Sequence, residues 1–160
     1  MSELTLAHPP VPDRPAELSG LEHLRLLADG TLPPPPMNVL LGFDLVEVDD
    51  GRVVFAATPS ERLYNPLGSV HGGFAATLLD SAMGCAVQTR LPAGVGYTTL
   101  ELSVNLVRGI TAATGPVLCT GRAIHVGRRT ATAEGRVVAE RTGKLLAHGT
   151  TTCLVTDLES

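Results

Sequence analysis

The sequence predicts an α+β domain in which one long helix packs on an antiparallel sheet, and three observations carry that prediction. A single segment, Gly72 to Arg90, has helical spacing and is apolar nearly all round; two strand-like runs precede it and four follow it; Gly, Pro and Asp clusters separate the runs. The 160 residues suit one core. Apolar residues make up 44% of them, yet the only aromatics are Phe43, Phe55, Phe74, Tyr64 and Tyr97. A core of Leu, Val and Ala follows, in which backbones can approach closely.

Residues 1–36 form an extension, opened by Pro9, Pro10, Pro12 and Pro15 and closed by Pro33 to Pro36. Inside it Leu18, Leu21, Leu24 and Leu27 are spaced as on a helix, Ser19 and Glu22 make a capping-box pattern, and Gly30 supplies a stop. Such a short amphipathic helix covers a core edge or a subunit contact.

The domain proper spans residues 37–160. It starts with period-two runs, Val39 to Val48 and Arg52 to Thr58, joined at Asp49-Asp50-Gly51, a turn sequence suited to positive φ. Next comes the long helix, ended by Pro92 and Gly94, whose Ala and Gly content lets a sheet wrap it closely. The strands after it are Thr98 to Arg108, Val117 to Val126, Thr130 to Glu140 and Leu145 to Val155. In the first of these Leu100, Leu102, Val104 and Leu106 alternate with Thr99, Glu101, Ser103 and Asn105, which predicts one dry face.

Charge narrows the function classes. A net charge of −4 and a pI near 5.7 leave no basic face for nucleic-acid phosphates, so any anion site is local. The apolar stretch Val70 to Val87 is broken by His71 and Asp80 and is too short to span a bilayer. The N-terminus lacks the basic and apolar regions of a secretory signal, so the cytoplasm is the expected compartment. Cys85, Cys119 and Cys153 are odd in number and form no C-x-x-C pair, the pattern of buried reduced thiols. No His/Cys cluster suggests a metal.

The chemistry concentrates around Asn65, His71, Gly72, Gly73 and Asp80, in the pattern N-x5-H-G-G-x6-D. Glycines at a helix start expose unpaired backbone N–H groups at the positive end of the helix dipole, with no side chain in a ligand's way. They form a candidate oxyanion hole. Asp80 lies about two turns further on amid Leu78, Leu79, Ala82 and Met83, where a carboxylate is expensive unless it has a partner or a task. Asn65 has a side-chain N–H for the same carbonyl, and Thr99 a hydroxyl to hold a water for Asp80. Each feature alone is commonly structural; their combination at this spacing is what points to a site.

The stretch from Asn65 to Val87, together with Tyr97 to Arg108 (YTTLELSVNLVR), resembles the hotdog-fold acyl-CoA thioesterases of the phenylacetate-degradation type. The likeness runs from about Val39 to Val155. It implies a long sheet wrapped around a central helix, hydrolysis of an acyl-CoA to acid and CoA, and a homodimer or homotetramer with active sites at the dimer interface. It further implies that Asn65, His71 and Gly72 come from one subunit and Asp80 and Thr99 from its partner. Asp80 then acts as general base or as nucleophile, and His71 orients the loop. Coenzyme A enters as part of the substrate and no separate cofactor is expected. Its phosphates need a basic patch, for which Arg128 and Arg129 are the first candidates, with Arg108 and Gly73 beside them. Two positions depart from the family pattern: Gly84 stands where related enzymes with a helix Glu carry Ser or Thr, and Gly109 follows Arg108 where Pro is common. The rival readings are a non-catalytic acyl-CoA-binding hotdog protein, a sensor or scaffold, and an enoyl-CoA hydratase, which the absence of a His within the helix disfavours.

Overall fold

Residues 17–158 are described by a computed structural model of the protein. Along the chain lie α1 (Gly20–Ala28), α2 (Pro36–Leu41), β1 (Phe43–Asp49), β2 (Arg52–Ala57), α3 (Gly72–Gln88), β3 (Val95–Leu106), β4 (Val117–Val126), β5 (Thr130–Ala139) and β6 (Leu145–Asp157). The six strands form one antiparallel sheet in the order β1-β2-β4-β5-β6-β3. Helix α3 lies against its inner face, the hotdog arrangement that the resemblance implies.

Close approach of helix and sheet has a specific cause. Gly121 pairs with Gly135, and Gly135 with Gly149, so three glycines make a row across β4, β5 and β6. A Cβ on Gly121 would overlap the Ala82 carbonyl, and one on Gly135 would stand 2.9 Å from the Leu79 side chain. With that row bare, Leu79, Ala82, Met83, Ala86 and Val87 are fully enclosed against Val53, Val117 and Val137. The apolar helix is thereby removed from water over most of its surface, the main stabilising contribution in a core poor in aromatics.

Three sequence expectations change at the level of elements. Residues Val39 to Leu41 are not the start of a strand: Pro36 at the first helical position and Gly42 in left-handed conformation (φ 70°) frame the short helix α2, and β1 begins at Phe43. Helix α3 stops at Gln88, two residues early, where the Thr89 hydroxyl bonds the Ala86 carbonyl and receives the Gly51 N–H. That contact ties the β1–β2 turn, with Gly51 at φ 69°, to the helix end.

The third change concerns β3. Its register against β6 slips between Thr99 and Glu101, leaving Leu100 in a bulge. Before the slip Thr99 pairs with buried Cys153; after it Leu102 pairs with Thr151 and Leu106 with Ala147. Paired residues share a face, so Thr99 points inward with Leu102, Val104 and Leu106, not outward with Glu101 and Ser103. The inward face is also not dry in one chain: Leu102 is 36% and Leu106 59% exposed, because β3 is an edge strand.

Helix α1 has the predicted capping box, with Ser19 and Glu22 each accepting from the other's backbone N–H. Pro9, Pro10, Pro12 and Pro15 lie outside the described residues. No described helix is long and apolar enough to cross a membrane.

Candidate active site

The first turn of α3 is set by the loop before it. Asn65 organises that loop: its Oδ1 accepts the Leu67 N–H at 2.9 Å and its Nδ2 lies 3.2 Å from Ser69 Oγ, while its backbone N–H reaches the Ser69 carbonyl. Val70 and His71 are then held by Ile110 and Leu63 through backbone bonds. His71 is the N-cap, its Nδ1 accepting the Gly73 N–H at 2.9 Å. The N–H of Gly73 is therefore spent on the cap and is not open to a ligand, unlike the free donor that the sequence suggests. Phe74 bonds the His71 carbonyl. Gly72 alone of this turn has an N–H without a partner among the described residues. It opens on a small cavity of about 220 Å³ lined by Asn65, His71, Gly72, Leu106 and Arg108. A side chain at Gly72 would press on Leu106 Cδ1, 2.5 Å from an added Cβ.

Asp80 is elsewhere. Eight residues along a helix is about 12 Å, and the carboxylate faces a different, larger cavity of about 850 Å³, whose lining includes Ser81, Cys85, Gln88 and Tyr97. The inward turn of Thr99 produced by the bulge brings its hydroxyl to donate to Asp80 Oδ1 at 2.9 Å. The Tyr97 side chain passes over Gly84, where any Cβ would collide with its hydroxyl. That steric demand is a reason for glycine at this departure from the family pattern. Burial pushes the Cys85 thiol up to about 12, with the Asp80 charge adding to it, and burial raises the Tyr97 phenol well above its ordinary value. Both stay protonated at neutral pH, so neither puts a second negative charge beside Asp80.

The basic candidates divide as well. Arg108 sits beside Gly72 and donates to the Leu145 carbonyl at 2.6 Å. Arg128 and Arg129, exposed between β4 and β5, line a third groove with Arg90 at the far end of α3, about 24 Å along the helix from Gly72. Within one chain, then, Asp80 and Thr99 are brought together, Asn65, His71, Gly72 and Arg108 are brought together, and Arg128 and Arg129 join neither. Cys85, Cys119 and Cys153 are unpaired thiols. Among the described residues no group of three or more His, Cys, Asp and Glu is placed to hold a metal.

A family model described as the thioesterase superfamily matches residues 67–146, half of the chain, across α3 and the strands that carry this site. The chain belongs to the thioesterase superfamily. The matched region is thus of the thioester-hydrolase class. A 1,4-dihydroxy-2-naphthoyl-CoA hydrolase of Listeria monocytogenes is 29% identical over 106 residues, 66% of this chain and 84% of its own length. A candidate esterase of Halobacterium salinarum is 35% identical over 103 residues, 61% of this chain. The chain spans 66% of that esterase's length, just under two thirds. Among solved structures, a phenylacetic acid degradation-related protein of Ralstonia eutropha superposes with TM-score 0.73 at 27% identity, covering 82% of this thioesterase-superfamily chain and 98% of the other.

Tyr97, Ser81 and Cys85 line the Asp80 cavity and escaped the sequence reading. Tyr97 and Thr99 are two apart on one strand, a spacing that puts both on one face, but the bulge that turns this face inward has no signature in the sequence.

Proposed function

We propose that this thioesterase-superfamily protein hydrolyses acyl-CoA thioesters at a site completed by two copies of the chain. The observation that carries the reading is the separation just described. A Gly72 N–H without a partner among the described residues and a Thr99-held Asp80 lie about 12 Å apart along one helix and face different cavities, too far to act on one carbonyl carbon. Pairing two chains through β3, an edge strand with exposed Leu100, Leu102 and Leu106, supplies the missing half to each site.

In the joined site the Gly72 N–H donates to the thioester carbonyl oxygen and stabilises the charge that grows there, a role in which one donor contributes about 3 kcal/mol. Asp80 of the other copy takes a proton from water. Thr99 spends its O–H on Asp80 Oδ1, which fixes the carboxylate and leaves hydroxyl lone pairs to hold that water. The water oxygen adds to the carbonyl carbon, the C–S bond breaks, and CoA leaves as a thiolate that then takes up a proton. Arg128 and Arg129 hold the phosphates of the nucleotide.

Complementation tests the reading. Asp80→Asn and Gly72→Pro, each inactive alone, are mixed, dissociated and reassociated in equal amounts. A shared site restores one intact site in every mixed dimer, so activity returns to about a quarter of wild type. A site confined to one chain restores none.

A further inference from the structure

The cavity at Asp80 is walled on one side by residues outside the family-matched region. We propose that α1, the proline loop after it and α2 form the specificity wall of the acyl pocket, which takes a neutral, bulky apolar acyl group and rejects acyl groups carrying a distal carboxylate. This rests on the hydrolase reading above, and it concerns what the site selects.

Size comes first. At about 850 Å³ the cavity falls in the range of sites that enclose a whole drug-sized ligand, whereas the Gly72 cavity has room for little more than the thioester itself. It is continuous from Asp80, Cys85 and Tyr97 on the α3 side to Leu27 and Met37 on the extension. An acyl chain whose carbonyl stands at Asp80 has this cavity directly beside it.

The extension is also fixed rather than loosely attached. The Gly20 N–H bonds the Leu91 carbonyl at 2.9 Å, and Gly20 lies so close to α3 that an added Cβ would overlap the Gln88 carbonyl. Leu24 of α1 is only 2% exposed, so the helix has a buried face. Prolines 33–35 then restrict the backbone that leads to α2. Met37, 51% exposed, is placed to cover an occupant.

Charge gives the second selection. Asp29, Asp44 and Asp80 line the cavity and neither Lys nor Arg does so among the described residues. Hydrogen bonds from Thr31 hold the Asp29 carboxyl below its usual range, which keeps it ionised. A carboxylate at the far end of an acyl chain would meet these acidic side chains, with no Lys or Arg among the described lining residues to receive it and His23 already bonded to Gln88.

The test uses acetyl-, hexanoyl-, decanoyl-, benzoyl- and adipoyl-CoA with the wild type, Leu27→Trp and Met37→Trp. Met37 is exposed enough for the second variant to fold, and thermal melts check both. The wild type is expected to favour hexanoyl- over adipoyl-CoA by about 100-fold in kcat/KM, and the Trp variants to lose about 10–200-fold on decanoyl-CoA while acetyl-CoA changes by less than about threefold. Uniform loss across the panel, or none, overturns the wall; equal use of adipoyl- and hexanoyl-CoA overturns the charge selection. If the wild type hydrolyses nothing, the hydrolase reading fails by itself. The same panel read as Kd by calorimetry then decides the wall: size-selective weakening in the Trp variants supports it, and uniform or absent binding sinks it.

Discussion

The first turn of α3 and its middle are parts of one helix with opposite designs. At the first turn the proposed functional group is backbone, and its surroundings leave one N–H alone: His71 caps Gly73, the His71 carbonyl takes Phe74, and of this turn Gly72 remains without a partner among the described residues. In the middle the proposed functional group is a side chain, and its surroundings restrain it: Thr99 bonds Asp80 while Tyr97 and Cys85 stay neutral beside it. The contrast teaches that one helix can hold a free backbone donor and a restrained carboxylate without either interfering with the other, and on the proposed function a second copy brings them to the same substrate.

Substitutions can break each half separately. The largest effect is expected at Asp80: Asp80→Asn should leave the melting temperature nearly unchanged and lower kcat by about 10²–10⁴-fold, the usual contribution of a positioned base. Near-normal turnover would remove Asp80 from the chemistry. Gly72→Pro deletes the N–H and displaces the tip of the exposed Leu106 side chain, while the backbone is kept, since proline suits the first helical position and His71, at φ −60° and ψ 135°, already has the backbone that precedes proline. It should lower kcat by about 10²-fold with circular dichroism unchanged; retained activity would place the oxyanion elsewhere.

Smaller changes sharpen the contrast. Thr99→Val keeps the side-chain shape and removes one hydrogen bond to a charged group, so kcat should fall about tenfold at constant KM. A rise in KM alone would make Thr99 a substrate contact instead of a support for Asp80. The mildest effect is expected from the Arg128→Gln, Arg129→Gln double variant, which should raise KM for an acyl-CoA several-fold and leave hydrolysis of the matching acyl-pantetheine thioester unaltered. Equal effects on both substrates would take the nucleotide away from that groove.

Local chemistry made much of this legible in advance. The capping box of Ser19 and Glu22, the Gly51 turn and the apolar helix are short-range patterns whose consequences do not depend on the rest of the chain. Helix α2 is hidden in the sequence although Pro36 and Gly42 frame it, because the period-two spacing that begins at Val39 runs on past Gly42 into β1. Gly73 was misjudged for a different reason. Whether a helix-start N–H is free depends on where one ring nitrogen points, and His71 turned back upon it.

Asp80, Gly72 and their spacing were determined by sequence alone, because a helix converts eight positions into a fixed rise and a fixed separation. Which groups meet them was decided by tertiary structure. The slip at Leu100 reversed the parity of β3 and brought Thr99 to Asp80, the glycine row drew the sheet onto α3, and the packing of α1 behind Gln88 closed one side of a pocket. All three depend on contacts between segments far apart in the chain, and a register shift of one residue, which changes every facing side chain, leaves no mark in composition or periodicity.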